Sequence, residues 1–179
     1  MALGWLSKLF TGGGSMQALE TGALAPRFTL KDAEGKTHSL AEALQRGPVL
    51  LAFFKESCPV CQFTFPFLER IHQGLNGTGN ARVWGISQDD ARDTRDFARE
   101  QGCTFPLLLD QDGYTVSNQY GLTNVPTLFL IQPDGKIQVS AVGFERKAPE
   151  TAAAAFGQIA GQPITVFQPT DAVPDYTPG

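Results

Sequence analysis

Apolar residues run without a break from Val49 to Phe54 and stop at Lys55-Glu56-Ser57. A six-residue block of that kind predicts a central strand buried on both faces. Beyond it the apolar positions recur at helical spacing as far as His72, so the stretch reads strand, loop, helix, with Cys58-Pro59-Val60-Cys61 at the junction. Further strands are predicted over 83–87, 104–110, 128–131 and 137–142. The last two flank Gln132-Pro133-Asp134-Gly135-Lys136, whose Asp-Gly marks a hairpin turn.

Upstream, residues 23–30 and 37–40 predict an N-terminal hairpin with its turn at Asp32 to Gly35, and Ser39 caps a short helix over 40–45. His38 reads as a surface residue near a strand end. Residues 88–101 predict a charged, solvated helix laced by ion pairs, with Phe97 as its apolar anchor. A short helix follows over 115–120, and Pro149 at a first helical position opens an Ala-rich helix over 150–160. His72, in the last turn of its helix, is read as favouring the negative helix end rather than as a ligand. Residues 162–179 contain four prolines and little periodicity, which predicts either disorder or an extended course along the surface. The chain divides into a leader (1–21), one domain (22–161) and this tail.

The leader places Leu3, Leu6, Leu9 and Phe10 near one helical face before the flexible Gly12-Gly13-Gly14. It is too short to span a membrane and lacks the basic start and small-residue cleavage site of an export signal. A docked helix, a disordered segment and a membrane-surface contact through residues 1–10 are its three readings.

At 179 residues and 42% apolar content there is room for one sizeable core and no second domain. Fourteen Lys and Arg against eighteen Asp and Glu, without a basic cluster, exclude a nucleic-acid role. Three cysteines are too few for a disulfide framework, so the closely spaced pair reads as redox chemistry or metal binding. Zinc needs more ligands than Cys103, His38 and His72 supply at useful spacing, and no metal or cofactor is expected.

Two cysteines three apart on a first helical turn can close a disulfide with little backbone movement. The first of them sits where unpaired N–H groups and the helix dipole favour a thiolate. Cys58 is therefore the predicted nucleophile, and the more buried Cys61 the predicted resolving thiol. Pro59 costs no hydrogen bond near a helix start. Far along the chain, Thr123-Asn124-Val125-Pro126-Thr127 sets a proline immediately before a β-type run.

Together these features resemble the thioredoxin fold over roughly residues 22–161, and within it the redoxin branch of TlpA/ResA-like and AhpC/TSA-like proteins. Pro66 matches the proline that kinks that family's active-site helix, and Gly143 a glycine near the following strand. The resemblance implies an α/β fold, a central mixed β-sheet flanked by helices, with the N-terminal hairpin and a strand–helix insertion over the charged helix. It implies a cis peptide bond before Pro126 and a substrate surface that includes Pro59, Val60, Thr123, Val125, Pro126 and Thr127. A disulfide-containing or dithiol protein substrate and an electron-donor thiol system are the implied partners of a chain expected to be monomeric.

The pattern also departs from the family. Ala52 stands where thioredoxin has a buried aspartate, Ser57 where an aromatic precedes the first cysteine, and Thr64 where redoxins often have glutamate. Glu56, or a water held by Thr64, is the expected proton acceptor for Cys61. The leading reading is a thiol–disulfide oxidoreductase. A peroxiredoxin-like thiol peroxidase is second, weakened because Lys55 stands three residues before Cys58 where a Thr or Ser is required. A redox-inactive or metal-binding module is third; copper-binding relatives carry a longer cysteine spacing and a later histidine. A cytoplasmic location is expected, with membrane-associated or periplasmic placement as the alternative.

Overall fold

A computed structural model describes residues 16–179, and the expectations for residues 1–15 lie outside that range. The N-terminal hairpin forms from β1 (Thr29–Lys31) and β2 (Thr37–Ser39), paired antiparallel. Asp32 holds its turn, accepting the N–H groups of Glu34 and Lys36 at 3.1 and 2.8 Å. Ser39 then caps α1 (Leu40–Leu44) through a 3.4 Å bond from the Glu42 N–H.

All six residues of β3 (Val49–Phe54) are buried. Leu50, Ala52 and Phe54 enter one core cluster and Val49, Leu51 and Phe53 the other, as alternation along a strand requires. The run is apolar throughout because both faces are covered. It continues into α2 (Pro59–Gly74), β4 (Arg82–Ser87), α3 (Ala91–Gln101), β5 (Leu107–Leu109), α4 (Thr115–Gln119), β6 (Thr127–Ile131), β7 (Ile137–Val142), β8 (Phe144–Glu145), α5 (Lys147–Ala160) and β9 (Tyr176–Thr177). The main sheet has the order β5-β4-β3-β6-β7, with β3, β4 and β5 parallel and β6 and β7 antiparallel to their neighbours. It is the expected mixed sheet of a thioredoxin-like fold.

The structure corrects several details. The strand expected over 104–110 is only β5, because Pro106 has no N–H for a ladder and Asp110 turns away to cap α4. The Asp110 carboxylate accepts the N–H groups of Val116 and Ser117 at 3.0 and 2.7 Å. Helix α5 starts at Lys147, two residues before Pro149, which sits inside the first turn where no intrahelical partner is lost. In α3, Asp96–Arg99 is the one ion pair among the described residues, while Arg95 donates instead to the Ala33 carbonyl at 2.9 Å. His38 is buried, not a surface residue. Its Nε2 lies 2.7 Å from Asp32 Oδ2 and its ring meets Trp84 edge-on, the hairpin turn supplying the partner that a buried polar ring requires.

Residues 162–179 hold a defined, extended path. Arg70 of α2 grips Asp171 through its two terminal guanidinium nitrogens, at 2.5 and 3.1 Å, and donates to the Val166 carbonyl. Phe167 packs on Phe67 at 4.9 Å between ring centres, and β9 pairs with β8. At the other end, the chain is tied to the domain from Leu19, whose N–H reaches the Tyr120 carbonyl at 3.1 Å.

Candidate active site

Cys58 is itself the N-cap of α2, in extended backbone conformation, and its Sγ accepts the Cys61 N–H at 3.2 Å. Pro59 follows as the first helical residue. The Cys58 thiol also donates to the Val125 carbonyl at 3.4 Å, which ties the helix start to a loop 67 residues later. The Val125–Pro126 bond is cis, as the resemblance implied. Thr127 anchors that loop from beneath, its buried hydroxyl donating to the Asn124 carbonyl at 2.7 Å. Thr123 and Pro59 are exposed around the sulfur, and Val60 and Val125 are half-buried.

The two thiols have unlike surroundings. Cys58 is half-buried; Cys61 is fully buried in the core cluster that holds Ala52. Burial first, then the hydrogen bond with Cys58 and the charges of Cys58 and Asp89, push the Cys61 thiol well above the ordinary range. Both cysteines are free, as is Cys103, a half-buried thiol packed against the same core and pushed up to about 12 by burial and by the charge of Glu69.

The loop before Cys58 is clamped from three sides. The Glu56 N–H donates to Asp89 Oδ2 at 2.6 Å, the Glu56 carbonyl accepts Gln62 Nε2 at 2.8 Å, and the Cys58 N–H donates to the Lys55 carbonyl at 3.2 Å. The Glu56 carboxylate makes no hydrogen bond among the described residues, and the Thr64 hydroxyl donates to the Val60 carbonyl at 2.6 Å. Neither side chain is bonded to Cys61. The carboxylate whose charge reaches Cys61 is Asp89, which chain-order reasoning missed. The available signal was topological: β3 and β4 are parallel, so residues just past the two strand ends gather at the same edge of the sheet.

A cavity of about 590 Å³ lies between α5 and residues 162–167, and neither Cys58 nor Cys61 lines it. The arrangement is an open surface carrying one accessible sulfur at a helix start, a buried partner sulfur one turn on, and a neighbouring backbone edge. It can form and resolve a mixed disulfide.

Comparison with known proteins gives a match to the AhpC/TSA family over residues 21–140. The thiol-disulfide oxidoreductase ResA of Geobacillus thermodenitrificans (strain NG80-2) is 30% identical over 127 residues, covering 70% of this chain and 71% of the relative. Among solved structures, the thioredoxin domain of a thiol-disulfide oxidoreductase from Bacteroides vulgatus shares the fold with a TM-score of 0.67 at 24% identity, over 78% of this chain and 99% of that one. A peroxidoxin, BcpB from Mycobacterium tuberculosis, matches with a TM-score of 0.66 at 27% identity, over 79% and 98%.

Proposed function

The chain belongs to the AhpC/TSA family and is a thiol–disulfide oxidoreductase of the redoxin branch; from that premise we propose that it exchanges disulfides with protein or small-thiol partners through Cys58 and Cys61. The observation that carries this reading is the N-cap itself, where the Cys61 N–H points at Cys58 Sγ and the second sulfur lies one turn deeper.

In the reducing direction the Cys58 thiolate attacks one sulfur of a partner disulfide. That S–S bond breaks, the departing sulfur takes up a proton, and a mixed disulfide joins Cys58 to the partner. Cys61 then loses its proton and its thiolate attacks Cys58 Sγ. The second partner sulfur leaves reduced, and Cys58–Cys61 remains as a disulfide until a donor thiol returns the two electrons. Asp89, acting through water, is assigned as proton acceptor for Cys61, in preference to Glu56 or a water on Thr64. Pro59, Val60, Thr123 and Val125 form the surface on which the partner lies, while Pro126 and Thr127, expected on that surface, are buried and support the Val125 edge from beneath.

Lys55 stands where peroxide chemistry requires a hydroxyl, and its ammonium rests over the Tyr114 ring at 5.9 Å, so a peroxidase reading finds no support in the site. The test is a trapping experiment. Cys61→Ser, mixed with a peptide disulfide, is expected to accumulate one adduct on Cys58 by peptide mass mapping, and Cys58→Ser none. Adducts on Cys61 or Cys103 in the second variant, or peroxide turnover that outpaces disulfide turnover, would overturn the reading.

A further inference from the structure

Beyond α5 the tail crosses the face of α2 and pairs β9 with β8, placing Thr177 opposite Phe144 and Tyr176 opposite Glu145. This delivers residues 178–179 onto the loop that carries Pro126. Two glycines let backbone lie directly against backbone there. A side-chain carbon at Gly143, where φ is +79°, would fall 2.7 Å from the Thr177 carbonyl oxygen. One at Gly179 would fall 2.4 Å from the Val125 carbonyl oxygen, and Asn124 Nδ2 donates to the Gly179 carbonyl at 3.3 Å.

The Val125 carbonyl is the same oxygen that takes the Cys58 S–H. A peptide joined to Cys58 by a mixed disulfide must therefore lie along Val125, whose N–H has no acceptor among the described residues. Open backbone groups of this kind pair with extended segments. Gly179 lies against that same edge, held there by the pairing of residues 176–177 with β8.

We propose, resting on the disulfide-exchange reading above, that residues 176–179 are a specificity strap. They cover the Val125 side of the partner edge, so a small disulfide reaches Cys58 freely while an extended protein segment has to displace them.

The test compares the full chain, a chain shortened after Asp175, and Gly179→Val, whose added carbons push against Val125 while leaving the β8–β9 pairing in place. Reduced protein is mixed with insulin as the protein disulfide and with glutathione disulfide as the small one. Both variants are expected to raise the rate with insulin by about tenfold, the factor imposed by an edge open about one-tenth of the time, with the glutathione disulfide rate unchanged. Asn124→Ala, which removes one bond, gives a smaller rise in the same direction. An unchanged insulin-to-glutathione ratio in Gly179→Val overturns the strap, and a fall in the insulin rate overturns it in favour of a tail that helps to bind partners. If the shortened chain loses its fold by circular dichroism, Gly179→Val decides. Failure of the full chain itself to react with glutathione disulfide at Cys58 counts against disulfide exchange, not the strap.

Discussion

Cys58 and Cys61 occupy one helical turn yet differ in the property that governs thiol chemistry. The half-buried Cys58 accepts an N–H at the helix start, whereas the buried Cys61 is held as a thiol by desolvation, with Cys58 and Asp89 adding to the effect. A thiol whose pKa is raised has a thiolate fraction that grows about tenfold per pH unit at all pH values below that pKa. Single-turnover release of partner from the mixed disulfide should accordingly accelerate about tenfold per unit between about pH 6 and 9 in Asp89→Asn, where only the thiolate fraction sets the rate, and rise much less steeply in the native chain, where Asp89 takes the proton. Equal slopes in the two proteins would mean that Asp89 is not the base. Asp89→Asn should slow this step by about tenfold at pH 7, the scale of a lost general base, while Glu56→Gln leaves it unchanged. The spacing of the two cysteines is readable in the chain. Asp89 and the His38–Asp32 pair are not, because the first depends on which strands are parallel and the second on how tightly a hairpin folds over Trp84.

Helix α3 shows what a single anchor does for an element. Its exposed face is mostly charged; Thr94 is buried with its hydroxyl 2.6 Å from that of Ser87, and Phe97, the one large apolar side chain, is fully buried with its ring centre 4.5 Å from that of Phe54 and 4.9 Å from that of Phe65. Phe97→Ala should cost about 3–5 kcal/mol in denaturant unfolding, the usual range for an emptied aromatic site, whereas exposed Glu100→Ala should stay within about 0.5 kcal/mol. The tail is held differently, by the bidentate Arg70–Asp171 pair. The Arg70 guanidinium, with the Gln168 N–H, holds the Asp171 carboxyl below the usual carboxylate range. A depressed carboxylate contributes stability that is complete above its unfolded value of about 3.9 and is lost as pH falls through the lower folded value. Protection from hydrogen exchange across 163–179, taken relative to the intrinsic rate at each pH, should therefore hold steady from neutral pH to about 4 and fall below it, and Asp171→Asn should show the lowered protection already at pH 7. The central elements follow from periodicity alone. The course of the tail does not, since proline removes regular hydrogen bonding without saying which surface the extended chain will follow; here Val166 and Phe167 decide, by joining the core cluster that α2 and α5 share.

The molecule as a whole puts its chemistry where the sheet order requires. Cys58 follows the end of β3, Asp89 the end of β4, and β6 begins at Thr127, immediately after the cis proline. The parallel arrangement of β3 and β4 against antiparallel β6 brings those three ends to one edge of the sheet. A mixed sheet with this hairpin and insertion was inferable from the pattern and the resemblance, because each strand's apolar block reports whether one or both faces are covered. The approach of residues 177–179 to Gly143, and of Gly179 to Val125, was not, since it depends on backbone meeting backbone where there is no side chain to signal it. Disulfide exchange through the pair is tested most directly by a redox titration of the full chain against reduced and oxidised glutathione, read by thiol alkylation and intact mass. Cys58 and Cys61 are expected to disappear together in one two-electron transition that Cys58→Ser abolishes, with Cys103 remaining a thiol throughout. A chain that keeps all its thiols under oxidising conditions, or that pairs Cys103 in place of Cys58, would contradict that exchange.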